Sequence, residues 1–186
     1  MKETTTIHTN LTPLEMTYAA MSRPLPRIEY IDGREMPEPY KSLLVHTGDM
    51  TPTLEDFYQQ AMELRVIEQQ PAENVLLRLI ILATHDVDRP TEFGAIRIHL
   101  SRFTAEAQHK IRSGIVPLGT IFRENNIRHT SNPQAFFKVW PDRTISGSLN
   151  IDQPQWLYGR HNIHRDMQDN ILAEMVEILP VHREGT

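Results

Sequence analysis

No cysteine occurs in the 186 residues, so a disulfide scaffold and thiolate-held zinc or iron–sulfur centres are excluded at the outset. Long apolar runs are missing too. No window approaches the roughly 18 uninterrupted apolar residues of a membrane-spanning helix, and the opening MKETTTIHTN lacks the apolar core of a signal peptide. The chain carries a net charge of −5 and no basic cluster that would track a phosphate backbone, which argues against nucleic acid as a partner. Gly48 and Gly94 stand alone rather than in a nucleotide-binding loop, no GxSxG elbow occurs, and no HExxH helix is present. Repeats and low-complexity tracts are likewise absent. A soluble cytoplasmic protein is expected, with neither nucleic acid nor membrane as partner. The oligomeric state is left open.

What is there is an ordinary globular composition, 39% hydrophobic and 23% charged. A chain of this length buries about 70% of the surface its unfolded form exposes, enough for a core and an internal pocket. Most of the 13 prolines fall in the first half. They mark residues 1–36 as an irregular N-terminal segment, partly disordered, with one short helix over Pro13–Met21. Residues 37–182 are read as a single domain and 183–186 as a tail. Within the domain, Tyr40–His46 is a short apolar element. A helix follows from Thr51-Pro52, capped by Thr51 or by a Thr53–Asp56 capping box, with Leu54, Phe57 and Tyr58 inward. Strands are expected at Met62–Glu68, Val75–Ala83 and Glu92–Leu100, where Ile96, Ile98 and Leu100 alternate with Arg97 and His99. Helices at Thr104–Ser113 and Leu118–Glu124 come next, then strands at Gln134–Trp140, Pro154–His164 and Ile171–Leu179. Consecutive strands joined by short turns, with helices in two groups, give an α+β fold built on an antiparallel sheet.

Two strands place charge inside apolar runs. Val75-Leu-Leu-Arg78-Leu-Ile-Ile-Leu-Ala83 carries one arginine, which cannot shed its proton and must meet a carboxylate if buried. That carboxylate is either another side chain or a ligand. Leu172-Ala-Glu174-Met-Val-Glu177-Ile-Leu-Pro180 carries two glutamates three apart, so one faces inward and the other outward. An inward glutamate either pairs with Arg78 or, its pKa tuned by burial, serves as an acid or base. His161 and His164 diverge on a strand, and with His99 they make no metal-ligand spacing; no metal is expected.

Three segments together resemble the chorismate pyruvate-lyase family: Leu77-Arg78 in the apolar strand, Pro117-Leu118-Gly119 opening a helix, and Leu157-Tyr-Gly-Arg160 leading through a hairpin to Glu177 and Pro180. Asp49-Met50-Thr51 is similar to a further family segment, and the likeness spans roughly residues 40–180. It implies an antiparallel sheet of about six strands with helices on one side, enclosing a sequestered site. It also implies a reaction without cofactor, the elimination of pyruvate from chorismate to give 4-hydroxybenzoate. Arg78 would then clamp a carboxylate, Leu118 and Gly119 would present backbone to the ligand, Met50 would line the pocket, and Glu177 would act as acid/base. The Asp166–Asn170 turn is longer by two residues than the family's, an even change that keeps the face of Glu177, with Glu174 as rival. A similar fold serves the UTRA-type effector domains of transcription regulators, so a non-catalytic binder of small carboxylates is the alternative. No helix-turn-helix pattern precedes the domain, which favours the enzyme.

Overall fold

The computed structural model describes residues 11–71 and 73–180. The expectations for residues 1–10 and for the tail lie outside these residues. Helices α1 (Thr12–Ala20), α2 (Tyr40–Leu44), α3 (Met50–Tyr58), α4 (Ala105–Ser113), α5 (Leu118–Glu124) and α6 (Arg143–Ser148) accompany seven strands. The strands are β1 (Arg27–Ile31), β2 (Met62–Pro71), β3 (Val75–Thr84), β4 (Pro90–His99), β5 (His129–Trp140), β6 (Leu157–Asp166) and β7 (Ile171–Leu179). They form one sheet in the order β1-β5-β6-β7-β4-β3-β2, every neighbouring pair antiparallel. The sheet has one strand more than the resemblance implied, because Arg27–Ile31 pairs with Phe136–Trp140 at the edge. No helix of the described residues is long and apolar enough to cross a membrane.

Helices cover both faces of the sheet rather than one. The central strands β3, β4 and β7 are apolar on both sides, as the continuous runs in their sequences require, and each side needs a cover. On the first face Ile80, Ile96, Ile98 and Met175 pack against Leu44, Leu54, Ile111 and Phe122 from α2 to α5. On the second, Leu79, Ala95 and Val176 pack against Leu14 and Tyr18 of α1 and Ile145 of α6. The Tyr18 hydroxyl donates to Asp142 Oδ1 at 3.1 Å, and the same oxygen accepts from the Ile145 amide at the start of α6. In this way α1 and α6 are tied into one cover.

Helix α3 starts two residues earlier than the Thr51-Pro52 signal suggests. Asp49 holds the capping position, yet its side chain makes no capping bond. The Thr53 hydroxyl donates to the Asp49 carbonyl at 2.8 Å instead, while the Asp49 carboxylate turns to His129. The inward face of α3 is Met50, Thr51 and Leu54; Phe57, expected inward, is exposed. Where β6 passes β7, a Cβ on Gly159 would lie 2.6 Å from the Glu177 carbonyl oxygen, so only glycine admits this approach.

Candidate functional site

A narrow cavity of about 30 Å3 lies between the first face of the sheet and the starts of α3 and α5. The strands supply its floor through Leu64, Arg78, Ile80, Glu92, Met175 and Glu177. Met50 and Thr51 of α3, with Pro117, Leu118 and Gly119 at the opening of α5, form the roof. Thus Arg78, Met50, Leu118, Gly119 and Glu177, scattered over 128 positions of sequence, line one space. The two helix starts meet closely: a Cβ on Gly119 would stand 3.1 Å from both Cβ and Oγ1 of Thr51.

Arg78 is wholly buried on β3. Its Nη1 donates to the Ile111 carbonyl at 3.1 Å, in the last turn of α4, where a cation meets the negative end of the helix. Nε and Nη2 have no hydrogen-bond partner, and no carboxylate of the described residues lies within ion-pair distance. Burial alone lowers its pKa to about 10. The internal Arg78–Glu177 pair that the sequence left open does not form.

Glu177 belongs to a different arginine. Arg160, also fully buried, donates from Nε to Glu177 Oε2, from Nη1 to the carbonyls of Leu44 (3.2 Å) and His46 (3.0 Å), and from Nη2 to that of Gly48 (3.1 Å). One guanidinium therefore fixes both Glu177 and the loop that leads into α3. Burial raises the Glu177 pKa, and the adjacent Arg160 opposes that rise. Glu174 points to the opposite face, where its Oε1 is 3.6 Å from Arg97 and 3.9 Å from His99. The glutamate that reaches the cavity is Glu177.

Glu92, on β4, is a cavity residue that sequence reasoning passed over. It is buried, its Oε2 has no partner, and burial followed by the charge of Glu177 holds its pKa well above the usual carboxylate range. A signal was available: Glu92 is in phase with Ile96 and Ile98, the inward-facing residues of its strand. Counting charges, Arg160 offsets Glu177 and Glu92 is neutral, so the guanidinium of Arg78 gives the floor a net positive charge.

Asp49 and His164 sit at the rim. With His129 they form the group of described residues that could hold a divalent cation, their ligand atoms within 4.8 Å of one another. His129 Nδ1 lies 3.0 Å from the Ile127 carbonyl, which directs Nε2 to the Asp49 oxygens at 2.9 and 3.0 Å. His164 Nε2 is 3.5 Å from Asp49 Oδ1 and 3.2 Å from Asn162 Nδ2, and its Nδ1 has no partner. Ligating histidines ordinarily have an outer partner on the second ring nitrogen, so His164 is poorly set for a metal. Burial lowers its pKa to about 4 and keeps it neutral. Burial pushes the Asp49 pKa up, but the bond from His129 and the nearby cations outweigh it and leave the carboxylate ionised. Asp49 and His129 thus act as an ion pair at the cavity's rim.

No protein-family model matches the chain, and no curated protein matches its sequence. Solved structures do. The effector domain of PhnF from Mycobacterium smegmatis aligns with a TM-score of 0.52 at 12% identity, over 71% of this chain and 88% of that one. A second PhnF structure from the same organism gives 0.53 at 11%, over 76% and 71%. The ligand-binding domain of a GntR-family transcriptional regulator from Bordetella bronchiseptica gives 0.47 at 15%, over 67% and 91%. The chain has the chorismate lyase/UTRA-like fold. At these identities the likeness speaks to fold alone. In this UTRA-like frame the cavity lies between the sheet and the helices of its first face.

Proposed function

We propose that the chain binds a small organic acid in the cavity beneath α3 and α5, with Arg78 taking the acid's carboxylate. One observation carries this reading: a wholly buried guanidinium with two nitrogens unpartnered and no carboxylate of the described residues in reach. A lone buried cation costs several kcal/mol, on the order of the penalty for breaking a buried ion pair, and an anion from outside removes that penalty. The apolar lining with few polar groups fits a ligand whose body is a hydrocarbon ring, and the closed cavity of about 30 Å3 takes one only as the starts of α3 and α5 part. The PhnF structure that shares the fold is described as an effector domain, which supports binding as the general role.

A second reading is elimination of pyruvate from chorismate to give 4-hydroxybenzoate. It is favoured by the meeting of Arg78, Met50, Leu118, Gly119 and Glu177 in one cavity. In that reaction the ring loses a proton and becomes aromatic, while the side chain leaves with its ether oxygen and gains a proton to become pyruvate. A dry site that holds the carboxylate and offers a carboxyl group for proton transfer is what this step asks of the protein. Glu177 would serve as that acid/base.

Incubation with chorismate, with pyruvate followed by a coupled dehydrogenase and titration calorimetry with 4-hydroxybenzoate alongside, tests both readings. Turnover supports the lyase. Binding without turnover supports the carboxylate binder alone. Absence of both from a folded parent, or binding that survives Arg78→Ala, rejects the role given to Arg78.

A further inference from the structure

The second face of the sheet, away from the cavity, has a polar end that its two helices leave unaccounted for. The strand register sets Leu77, Arg97, Glu174 and Ile163 in one row across β3, β4, β7 and β6, and Leu79, Ala95, Val176 and His161 in the next. Leu79, Ala95 and Val176 lie in the cluster that α1 covers. Leu77 is buried as well, yet it belongs to neither apolar cluster of the described residues. Its polar neighbours are also withdrawn from solvent, Glu174 being 8% exposed and His161 6%.

Four buried nitrogens at this end have no hydrogen-bond partner among the described residues: Arg97 Nε, His99 Nε2 and both ring nitrogens of His161. His99 Nε2 is 3.9 Å from Glu174 Oε1, too far for a hydrogen bond. Burial lowers the His161 pKa against the pull of Glu174, and a neutral imidazole brings one donor and one acceptor. Groups of this kind left dry and unpaired are costly, so the row calls for a cover that is polar with a little apolar surface. Residues 1–10 have that character: the hydroxyls of Thr4, Thr5, Thr6 and Thr9 surround the single aliphatic Ile7. They join the fold at Leu11, which is buried in the same cluster as Leu79, Ala95 and Val176. Ten extended residues reach about 33 Å, and a row across four strands is about 15 Å wide. Residues 181–186 leave instead from Pro180, whose carbonyl accepts from Tyr40 on the first face. That point is six residues of strand, about 20 Å, from the Glu174 row.

We propose that residues 1–10 dock along this row and complete the cover of the second face, with Ile7 over Leu77 and the threonine hydroxyls and backbone turned to Arg97, His99 and His161. The segment then backs the strands that carry Arg78 and Glu177 on their other side. Nothing here draws on a ligand for Arg78, whose side chain belongs to the first face.

Because the chain has no cysteine, Thr6→Cys takes a nitroxide label at one site of the full chain. In amide correlation spectra that label should broaden the signals of Arg97, Glu174 and Ile163, while Val87, in the turn between β3 and β4 at the other end of the sheet, stays sharp. Thr4→Cys carries the label if one at position 6 displaces the segment. Urea midpoints give the second measurement. Ile7→Ala and Leu77→Ala should each lower the midpoint, and the double variant should lose less than the two losses combined, as side chains in contact do. Leu77→Val takes the place of alanine if that variant does not fold. Signals at Arg97, Glu174 and Ile163 as sharp as that of Val87 overturn the inference, and so do strictly additive midpoints. Broadening that appears when the labelled chain is mixed with an unlabelled, isotope-enriched one gives the row to a second copy, which overturns it too.

Discussion

Replacing Arg78 by methionine is expected to stabilise the empty chain and to abolish its binding of organic acids. Arg78 keeps its proton only to about pH 10 in the folded protein, against an ordinary value of 12.5, and burial is the cause. Because the folded value lies below the unfolded one, the penalty is in force at every pH below about 10 and is relieved only above it. Its size at pH 7 is about 3 kcal/mol. Against this stands one hydrogen bond to the Ile111 carbonyl, a contribution of about 1 kcal/mol. That carbonyl also accepts from the Gly114 amide at 3.2 Å, so the substitution does not orphan it. Methionine fills much of the vacated volume with apolar atoms. The net expectation is a gain of about 2 kcal/mol, or roughly 4–8 °C in melting temperature for a chain of this size. Thermal melts of parent and variant, with and without 4-hydroxybenzoate, check it. A ligand at a hundred times its dissociation constant adds about 2.7 kcal/mol to the parent and nothing to the variant, so saturation closes or reverses the gap. A loss of roughly 3–5 kcal/mol in Arg78→Met would refute the reasoning, since that is the signature of an arginine torn from an internal anion.

The other buried arginine should respond in the opposite sense. Arg160→Met strips Glu177 and three loop carbonyls of their donor and is expected to destabilise by about 3–5 kcal/mol, measured by urea unfolding. Gly159→Ala forces a Cβ to 2.6 Å from the Glu177 carbonyl and from Phe137 Cζ, so a loss of about 1–3 kcal/mol is expected in the same assay. His164 has a folded pKa of about 4, below its ordinary 6.5, so the unfolded chain takes up its proton first as pH falls. Stability from this group is full above pH 6.5 and drops by about 3 kcal/mol toward pH 4. Urea titrations at several pH values should find His164→Asn gaining on the parent by that amount over the same interval; parallel curves would count against it. Glu177→Gln is expected to abolish any pyruvate release from chorismate while leaving a folded chain, by the coupled assay and circular dichroism.

Much of the fold is legible where the physics is local. Val75–Thr84 and Ile171–Leu179 announce themselves as unbroken apolar strands, and Pro117-Leu118 opens its helix where the proline predicts. Strand β1 is not legible, because five residues between prolines gain their order from pairing with β5 more than a hundred positions away. Helix α6, six residues long, is too short to carry a period. In the site, Arg78 stands out as a charge within an aliphatic run. Which of Glu174 and Glu177 reaches the cavity depends on the register of β7 against β4 and β6, which no local pattern encodes. The carboxylate partner of Arg160 is hidden for the same reason. Asp49, His129 and His164 come from a loop and two strands, so no spacing in the chain foretells their meeting.

The close meeting of α3 and α5 over the cavity bears on how fast a guest can come and go. Below, the sheet is sealed by α1 and α6 on its far side, so passage through the floor is closed. Outside the roof lies a more open groove that shares Asp49 and Gly119 with the interior, and Thr51 faces Gly119 across the seam between them. A visiting acid must part these two helix ends before it reaches the guanidinium. Capture should then be slower than free diffusion allows, and once the seam shuts behind the guest, departure should be slower still.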